Sequence, residues 1–254
     1  MEPVYRGVIG FARVLFRAEG LKFTITGTEH VPRTGGAVMA INHTGYLDFA
    51  YAGLAARPAH RLVRFMAKDA VFRHKISGPL MRGMKHIPVD RDAGAASFRA
   101  AVTALKQGEI VGVFPEATIS RSFELKEFKK GTVQMAASAG VPILPVAIWG
   151  SQRVWTKDHP KRLGRTNIPI LIAVGEPIPV PRKGDFEAIN DQLVAAIDGL
   201  LTELRAQYPT LTGDDLKFLP ARLGGSAPTP EQARQLDADE AAAKAVKAAE
   251  PAAE

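Results

Sequence analysis

The sequence has no cysteine, no Gly-x-Ser-x-Gly motif and no cysteine–histidine cluster or closely spaced set of carboxylates. The lack of cysteine excludes disulfide bonds and fits a reducing compartment. Because the thiol and the serine elbow are both missing, a hydrolase-type reaction through a covalent intermediate lacks its usual nucleophile. The lack of a ligand cluster leaves no candidate metal site, and we expect no bound cofactor.

Long apolar runs are also missing, including in residues 1–20, where Arg13 interrupts the apolar stretch. This segment is too short to span a bilayer, and it lacks the apolar core and cleavage site of a secretory signal. Drawn as a helix, it has one face of arginines and a separate apolar face. The basic face carries Arg6, Arg13 and Arg17. The apolar face carries Val4, Val8, Phe11 and Leu15.

An amphipathic helix of this kind has two possible positions. It can lie in the headgroup region of a membrane, with the arginines toward anionic lipid, or it can pack on the body of the protein. We expect the first, with a peripheral or monotopic attachment to an anionic membrane surface.

Charge is distributed unevenly along the chain. The formal net charge is +7, and residues 231–254 contribute −3 from six acids and three bases, which leaves +10 for residues 1–230. Such an excess suits anionic lipid, a phosphorylated donor molecule or nucleic acid, although the basic runs at residues 61–64, 126–130 and 157–165 are equally compatible with a solvated face. No motif of a known nucleic-acid-binding module is present, so we expect no nucleic-acid partner.

Short apolar segments alternate with helical ones, which predicts an α/β fold: a single domain with a mixed, largely buried sheet flanked by helices. The predicted strands cover residues 21–28, 37–41, 63–67, 110–114, 143–149 and 169–174. The predicted helices cover residues 46–56, 95–107, 132–139 and 185–208.

The same patterns divide the chain into three parts. Residues 1–20 form the amphipathic helix, and residues 21–208 form the main domain. Residues 209–254 turn rich in Gly and Pro and then in Ala and charge, which predicts a partly ordered arm to about residue 230 and a mostly mobile or loosely helical tail beyond it.

Residues 41–48, Ile-Asn-His-Thr-Gly-Tyr-Leu-Asp, place a histidine and a carboxylate five positions apart, where an apolar run gives way to a loop. A neutral imidazole takes a proton from an alcohol near pH 7 when a partner on its other ring nitrogen fixes the tautomer. Asp48 suits that role for His43, since a turn can fold the carboxylate back onto the ring. The alternative is that Asp48 caps the following helix and that His43 is a hydrogen-bonded structural residue.

Three further blocks follow in order. Residues 86–91 read His-Ile-Pro-Val-Asp-Arg, residues 113–118 read Val-Phe-Pro-Glu-Ala-Thr, and residues 141–148 read Val-Pro-Ile-Leu-Pro-Val-Ala-Ile. Together with the Asn-His-x4-Asp block, they resemble the glycerolipid acyltransferase family, whose members acylate glycerol 3-phosphate or lysophosphatidic acid from an acyl thioester. The resemblance covers about residues 20–180 and is more specific than any single block.

The resemblance implies that His43 is the general base for the acceptor hydroxyl and that Asp48 orients it. Further residues would bind the glycerol phosphate: Lys68, Arg91, Glu116, Thr118 and Arg121. Arg121 is included among these binding residues because the third block departs from the family's Phe-Pro-Glu-Gly-Thr-Arg. Ala117 and Ile119 stand where that pattern has glycine and arginine, so Arg121 is the candidate replacement for the missing guanidinium.

Four of these binding residues also have simpler interpretations. Arg91 could pair with a neighbouring aspartate on a solvated loop, and Glu116 could be an acid at the start of a helix. Lys68 could be a solvated lysine at the sheet edge, and Thr118 could cap a turn.

The resemblance implies direct acyl transfer without an acyl-enzyme. The leading prediction is an acyl-coenzyme A-dependent enzyme that acylates lysophosphatidic acid to phosphatidic acid in phospholipid synthesis, on the cytoplasmic side of the cell membrane. Glycerol 3-phosphate is the alternative acceptor, and acyl carrier protein is the alternative donor. A different class of function is a catalytically idle lipid-binding protein. A basic nucleic-acid-binding protein would instead show salt-dependent association and no acyl transfer.

Overall fold

The computed structural model describes residues 2–90 and 94–249, so Arg91 lies outside the described residues. Its strands are β1 (Lys22–Thr26), β2 (Ala37–Ile41), β3 (Val63–Lys68), β4 (Ile87–Val89), β5 (Ile110–Val113), β6 (Ile143–Trp149) and β7 (Pro169–Val174). They form one seven-stranded sheet in the order β1-β7-β6-β2-β5-β3-β4. Strands β6, β2, β5, β3 and β4 are mutually parallel, whereas β7 runs antiparallel to β6.

Helices cover both faces of the sheet. They are α1 (Pro3–Ala18), α2 (Asp48–Ala55), α3 (Asp69–Arg73), α4 (Ser77–Gly83), α5 (Gly94–Lys106), α6 (Gly131–Ala139), α7 (Phe186–Gln207) and α8 (Pro230–Ala249). Short 3-10 helices lie at Thr28–His30, Ser151–Arg153, Gly213–Phe218 and Ala221–Leu223.

The central strands carry an unbroken apolar sequence because they are buried on both faces. In β2, Val38 and Ala40 belong to the core layer under α5, α6 and α7, while Met39 and Ile41 belong to the layer under α1 and α2. This alternation follows from the two-residue period of a strand. The predicted fold, a mixed and largely buried sheet flanked by helices, is confirmed.

All six predicted strands are present, and three of them, 37–41, 143–149 and 169–174, have the predicted limits. The sequence patterns missed β4, which has three residues including Pro88. A proline is tolerated there because β4 is the edge strand of the sheet. They also missed α3 and α4, which have five and seven residues and are too short for a helical period to emerge.

The tail differs from the prediction of a mostly mobile or loosely helical segment. Residues Pro230–Ala249 form a continuous α-helix of 20 residues, α8. The helix contacts the body through charged side chains, Asp237 and Glu240, which meet basic residues of the main domain. Composition alone indicated no apolar packing face, and it could not show that two of the acids have partners far away in the sequence.

The amino-terminal helix α1 has the predicted amphipathic character, but it uses two apolar faces. Tyr5 and Phe16 are buried against the body, and Val8, which the sequence placed on one apolar face with Phe11, packs in the cluster of Tyr5. Phe11 and Val14 remain about 70% exposed. Within the described ranges, no helix is both long enough and apolar enough to cross a membrane.

Candidate active site

Three loops meet at one edge of the sheet. They follow β2, β5 and β6, which are neighbouring parallel strands, so their carboxyl ends lie side by side. In open α/β sheets this edge is where ligands gather. The loops carry residues 42–47, 114–130 and 150–157.

Asn42 ties the first loop to the sheet. Its side-chain amide donates to the main-chain oxygen of Ile148 at 3.1 Å, and its side-chain oxygen accepts from the Ile148 amide at 2.7 Å. This pair of bonds continues the β2–β6 ladder by one residue. His43 therefore leaves the sheet at a defined point, just beyond the carboxyl end of β2.

The carboxylate of Asp48 is completely buried and faces back toward His43. Its Oδ2 atom lies 3.0 Å from His43 Nδ1 and accepts from the amides of Thr44 and Gly45, each at 2.8 Å. Asp48 begins α2, yet no side chain caps that helix. The alternative that Asp48 only caps a helix is therefore wrong: its carboxylate organises the loop and holds the imidazole.

The geometry leaves one nitrogen of His43 available for chemistry. Since Nδ1 donates its proton to Asp48, Nε2 is the unprotonated acceptor of the neutral ring. Across the described parts of the chain, Nε2 has no hydrogen-bond partner, and the side chain is 18% exposed. The ring stacks on Phe114, with ring centroids 4.0 Å apart. Asp48 and Phe114 thus fix the orientation of an accessible base.

Glu116 supports His43 from the second loop. One carboxylate oxygen accepts from the His43 amide at 2.8 Å and the other accepts from the Lys126 amide at 3.1 Å. Burial raises the pKa of Glu116 to about 8, although these two N–H groups and the Lys126 charge oppose the rise. The next helix begins only at Gly131, so the helix-start interpretation of Glu116 is wrong.

Residues 117–120 wrap around His43. Ala117, at the family's glycine position, has a φ of 61°, in the left-handed region that favours glycine. Ile119, at the family's arginine position, is buried. The Ser120 amide donates to the main-chain oxygen of His43 at 2.8 Å. Thr118 accepts a hydrogen bond of 2.7 Å from the Lys126 ammonium, a contact beyond the capping of a turn.

Arg121 lies in a cluster of charges beside this turn. Its guanidinium is ion-paired with Asp158, Asp237 and Glu240 and is nearly buried. The same carboxylates of α8 also bind two lysines, Lys126 and Lys157. Both lysines belong to basic runs that the sequence left open between anion binding and a solvated face, and nothing in those runs predicted their contacts with α8.

Within residues 2–90 and 94–249, Lys68, another of the predicted binding residues, has no contact with this group. Lys68 ends β3, at the same edge of the sheet, and its side chain is exposed. In the described portion of the structure, no hydrogen bond or ion pair joins Lys68 to His43 or to the basic cluster. The role of Arg91 stays a prediction.

A narrow apolar cavity opens between α1, α2 and β3. Its lining includes Phe16, Phe49, Leu54, Phe65, Met84 and His86. His86 accepts a hydrogen bond of 3.0 Å from the Phe65 amide, and burial with the nearby Arg64 charge lowers its pKa to about 4. The imidazole is therefore a neutral, hydrogen-bonded part of the wall, and the cavity suits an apolar chain. Phe49, one of the lining residues, follows Asp48 directly in the sequence.

Comparison with known proteins gives a consistent result. The sequence model of a family described as acyltransferase matches residues 22–149, half of the chain. The 1-acyl-sn-glycerol-3-phosphate acyltransferase of Bacillus subtilis is 34% identical over 123 residues, which cover 48% of this chain and 60% of that protein. A protein of the same name from Borreliella burgdorferi is 26% identical over 191 residues, 70% of this chain and 73% of that protein. The match thus spans less than two thirds of the Bacillus protein.

A solved structure shares the fold. The crystal structure of the 1-acyl-sn-glycerophosphate (LPA) acyltransferase of Thermotoga maritima superposes with a TM-score of 0.62 at 21% sequence identity. The superposition covers 81% of this chain and 90% of the Thermotoga chain.

Proposed function

The chain belongs to the acyltransferase family, and we propose that it transfers a fatty acyl group from acyl-coenzyme A to the hydroxyl of lysophosphatidic acid, forming phosphatidic acid for phospholipid synthesis. The observation that carries the proposal is the geometry of His43, whose Nδ1 is held by the buried Asp48 while Nε2 is accessible. The names of the two bacterial relatives support the choice of acceptor.

The reaction follows from this geometry. His43 Nε2 removes the proton from the acceptor hydroxyl as the oxygen attacks the thioester carbonyl carbon. The carbon–oxygen bond forms, the carbon–sulfur bond breaks, and the thiolate takes the proton back from the imidazolium. Asp48 stabilises the imidazolium in between and keeps the ring in the productive orientation.

The apolar lining of the cavity supports an acyl group as the moiety transferred. Its walls come mainly from α1, α2 and β3, and its polar lining groups, the Tyr5 hydroxyl and the His86 imidazole, are already hydrogen-bonded. An acyl chain placed there would lose little in hydrogen bonding and gain apolar burial. The donor thiol could belong to coenzyme A or to acyl carrier protein, and both donors belong in the test.

The test is release of free thiol from palmitoyl-coenzyme A by the purified chain. It is measured with lysophosphatidic acid, with glycerol 3-phosphate and with neither acceptor, and it is repeated with palmitoyl acyl carrier protein. We expect release that requires lysophosphatidic acid and yields phosphatidic acid. His43→Ala should remove nearly all of this turnover without loss of folding, whereas His74→Ala, at an exposed histidine, should retain it.

Two results would contradict the proposal. Normal turnover in a folded His43→Ala variant would exclude the mechanism. No release with either donor and either acceptor would favour the idle lipid-binding protein instead.

The proposal includes attachment to an anionic membrane surface. Phe11 and Val14 of α1 are exposed apolar residues, as is Ile76 beside α4, and the arginines of α1 lie on an adjacent exposed face. Apolar side chains flanked by arginines suit the boundary between headgroups and acyl chains of an anionic bilayer.

Co-sedimentation with vesicles tests this attachment. We expect binding to phosphatidylglycerol–phosphatidylethanolamine vesicles to fall severalfold in Phe11→Ser/Val14→Ser. Val246→Ser changes an equally exposed apolar residue of α8 and should bind like the unaltered protein. Equal binding by all three proteins would exclude α1 as the attachment surface.

A further inference from the structure

Three basic side chains beside the candidate active site are held by two carboxylates from the far end of the chain. Asp237 accepts from Nε of Arg121 at 3.0 Å, from Nζ of Lys126 at 2.5 Å and from Nζ of Lys157 at 3.0 Å. Glu240, almost one turn later on α8, accepts from Arg121 at 2.5 Å and from Lys157 at 3.0 Å. We call Arg121, Lys126 and Lys157 the basic cluster.

These ionic contacts dominate the docking of α8. Among the α8 residues whose exposure is described, only Ala233 is buried, and Leu236 is 41% exposed. The helix therefore has little apolar surface against the body. A contact made mainly of partly exposed ion pairs is weak and sensitive to salt, so an anion of higher charge can displace it.

The basic cluster adjoins the turn that holds the general base. Lys126 donates to Thr118 Oγ1 at 2.7 Å, and the amide two residues after Thr118 donates to the main-chain oxygen of His43 at 2.8 Å. On the other side, the residue before Lys157 donates its hydroxyl to the main-chain oxygen of Thr44 at 2.6 Å. The cluster is thus attached to the backbone of the catalytic loop from two directions.

The charges of the cluster fit a phosphate monoester. Three cations face three carboxylates, of which Asp158 belongs to the main domain and two belong to α8. If α8 withdraws, Asp158 alone remains and the cluster has an excess of two positive charges. A phosphate monoester carries about −1.5 to −2 near pH 7 and offers three acceptor oxygens. Arginine and lysine are suitable donors for these oxygens.

We propose that the basic cluster binds the phosphate monoester of the acyl acceptor, and that Asp237 and Glu240 occupy this site until the acceptor displaces them. The inference rests on the proposed function, for which it names the phosphate-binding residues and adds an internal competitor. Helix α8 is then an acidic plug on the acceptor site, and the acceptor must overcome it to bind.

Coenzyme A also carries a phosphate monoester, and position favours the acceptor as its source. In lysophosphatidic acid and in glycerol 3-phosphate, the phosphate and the nearest hydroxyl are on neighbouring carbons. A phosphate in the basic cluster would therefore bring that hydroxyl toward His43. The phosphate of coenzyme A is separated from the thioester by the whole pantetheine arm.

The experiment compares three full-length proteins by isothermal titration calorimetry: the unaltered chain, Asp237→Asn/Glu240→Gln and Glu231→Gln/Asp239→Asn. The last pair makes the same change of charge on exposed positions of α8 and serves as the control. We expect glycerol 3-phosphate to bind at least about fivefold more tightly to Asp237→Asn/Glu240→Gln. In that variant the phosphate no longer competes with two carboxylates for the basic cluster, so a larger fraction of the protein is ready to bind it. The control should bind like the unaltered chain, and glycerol, which lacks the phosphate, should bind none of them.

Two further measurements test which phosphate binds to the basic cluster and whether it displaces α8. Titration with coenzyme A and with dephospho-coenzyme A should show no comparable gain in the Asn/Gln variant. Hydrogen exchange of α8 in the unaltered chain should quicken when glycerol 3-phosphate is added. Equal affinities for glycerol 3-phosphate in all three proteins would overturn the proposal, and a gain confined to coenzyme A would overturn the assignment to the acceptor.

These binding measurements do not depend on turnover. If the chain proves to transfer no acyl group, tighter binding of glycerol 3-phosphate by the variant still supports the plugged anion site. If it does transfer, the variant should have a lower KM for the acceptor at nearly unchanged kcat.

Discussion

The two sides of the candidate active site are built in different ways. On the catalytic side, the buried carboxylates of Asp48 and Glu116 accept hydrogen bonds from backbone amides, and Asp48 in turn holds the His43 ring. On the binding side, the long side chains of Lys126 and Lys157 meet carboxylates from a helix more than 70 residues away in the sequence. Short bonds to the backbone suit a base that must keep one orientation, whereas flexible cations suit a site that must release one anion and accept another.

This contrast predicts that changes on the catalytic side lower kcat, and that changes on the binding side alter KM. The largest effect is expected for Asp48→Asn, which keeps the shape but removes the charge that orients His43 and stabilises its protonated form. We expect kcat to fall by about 10²- to 10⁴-fold, with KM for the acceptor little changed. Steady-state kinetics and a thermal unfolding curve test this, and a kcat near that of the unaltered enzyme would remove the distinction between the two sides.

A smaller effect is expected from Lys126→Gln on the binding side. The variant loses one proposed charged donor to the acceptor phosphate but keeps the Lys126 main-chain bond to Glu116. We expect KM for the acceptor to rise by about tenfold at a similar kcat. Lys129→Gln makes the same change at an exposed neighbour and should behave like the unaltered enzyme. A loss confined to kcat would place Lys126 on the catalytic side.

The buried carboxyl of Glu116 should make stability depend on pH. Its pKa in the folded protein is about 8, above the ordinary value of 4.5, so the unfolded chain releases this proton first. The contribution of Glu116 to the free energy of unfolding is therefore fully present below pH 4.5 and is lost as the pH rises through 8. Between pH 7 and pH 9 the free energy of unfolding should fall by about 1 kcal/mol.

Glu116→Gln removes this titration, so its unfolding free energy should be flatter over the same interval. Denaturant unfolding of both proteins at pH 7 and pH 9 makes the comparison. If the free energy of unfolding fell by the same amount in both proteins, the pH dependence would belong to other groups.

The smallest expected effect is a gain in stability from Ala117→Gly. Ala117 has a φ of 61°, which strains a residue with a side chain, while glycine adopts it freely. Since glycine also gains entropy in the unfolded chain, the net stabilisation should be only about 1 kcal/mol or less. Chemical denaturation measures it, and a destabilised variant would show that the Ala117 side chain contributes packing that outweighs the strain.

Local sequence was a good guide to the catalytic side. The spacing of His43 and Asp48 predicted their contact, because a turn of five residues at a strand end can bring the two side chains together without help from distant parts of the chain. For Glu116, the sequence left a helix start open as an alternative to substrate binding, and only that alternative is wrong. Nothing local indicated that its carboxyl would bind the His43 amide.

By itself, the sequence determined the α/β architecture, because buried strands and amphipathic helices leave periodic patterns that need no tertiary information. It also predicted the histidine–aspartate pair, through the spacing of the two residues together with the resemblance of the surrounding blocks. Only the tertiary structure decided that Arg121, Lys126 and Lys157 converge, and that Asp237 and Glu240 neutralise them. The physical reason is that an ion pair between distant segments leaves no period and no motif: each partner looks like one more solvated charge until the fold brings them together.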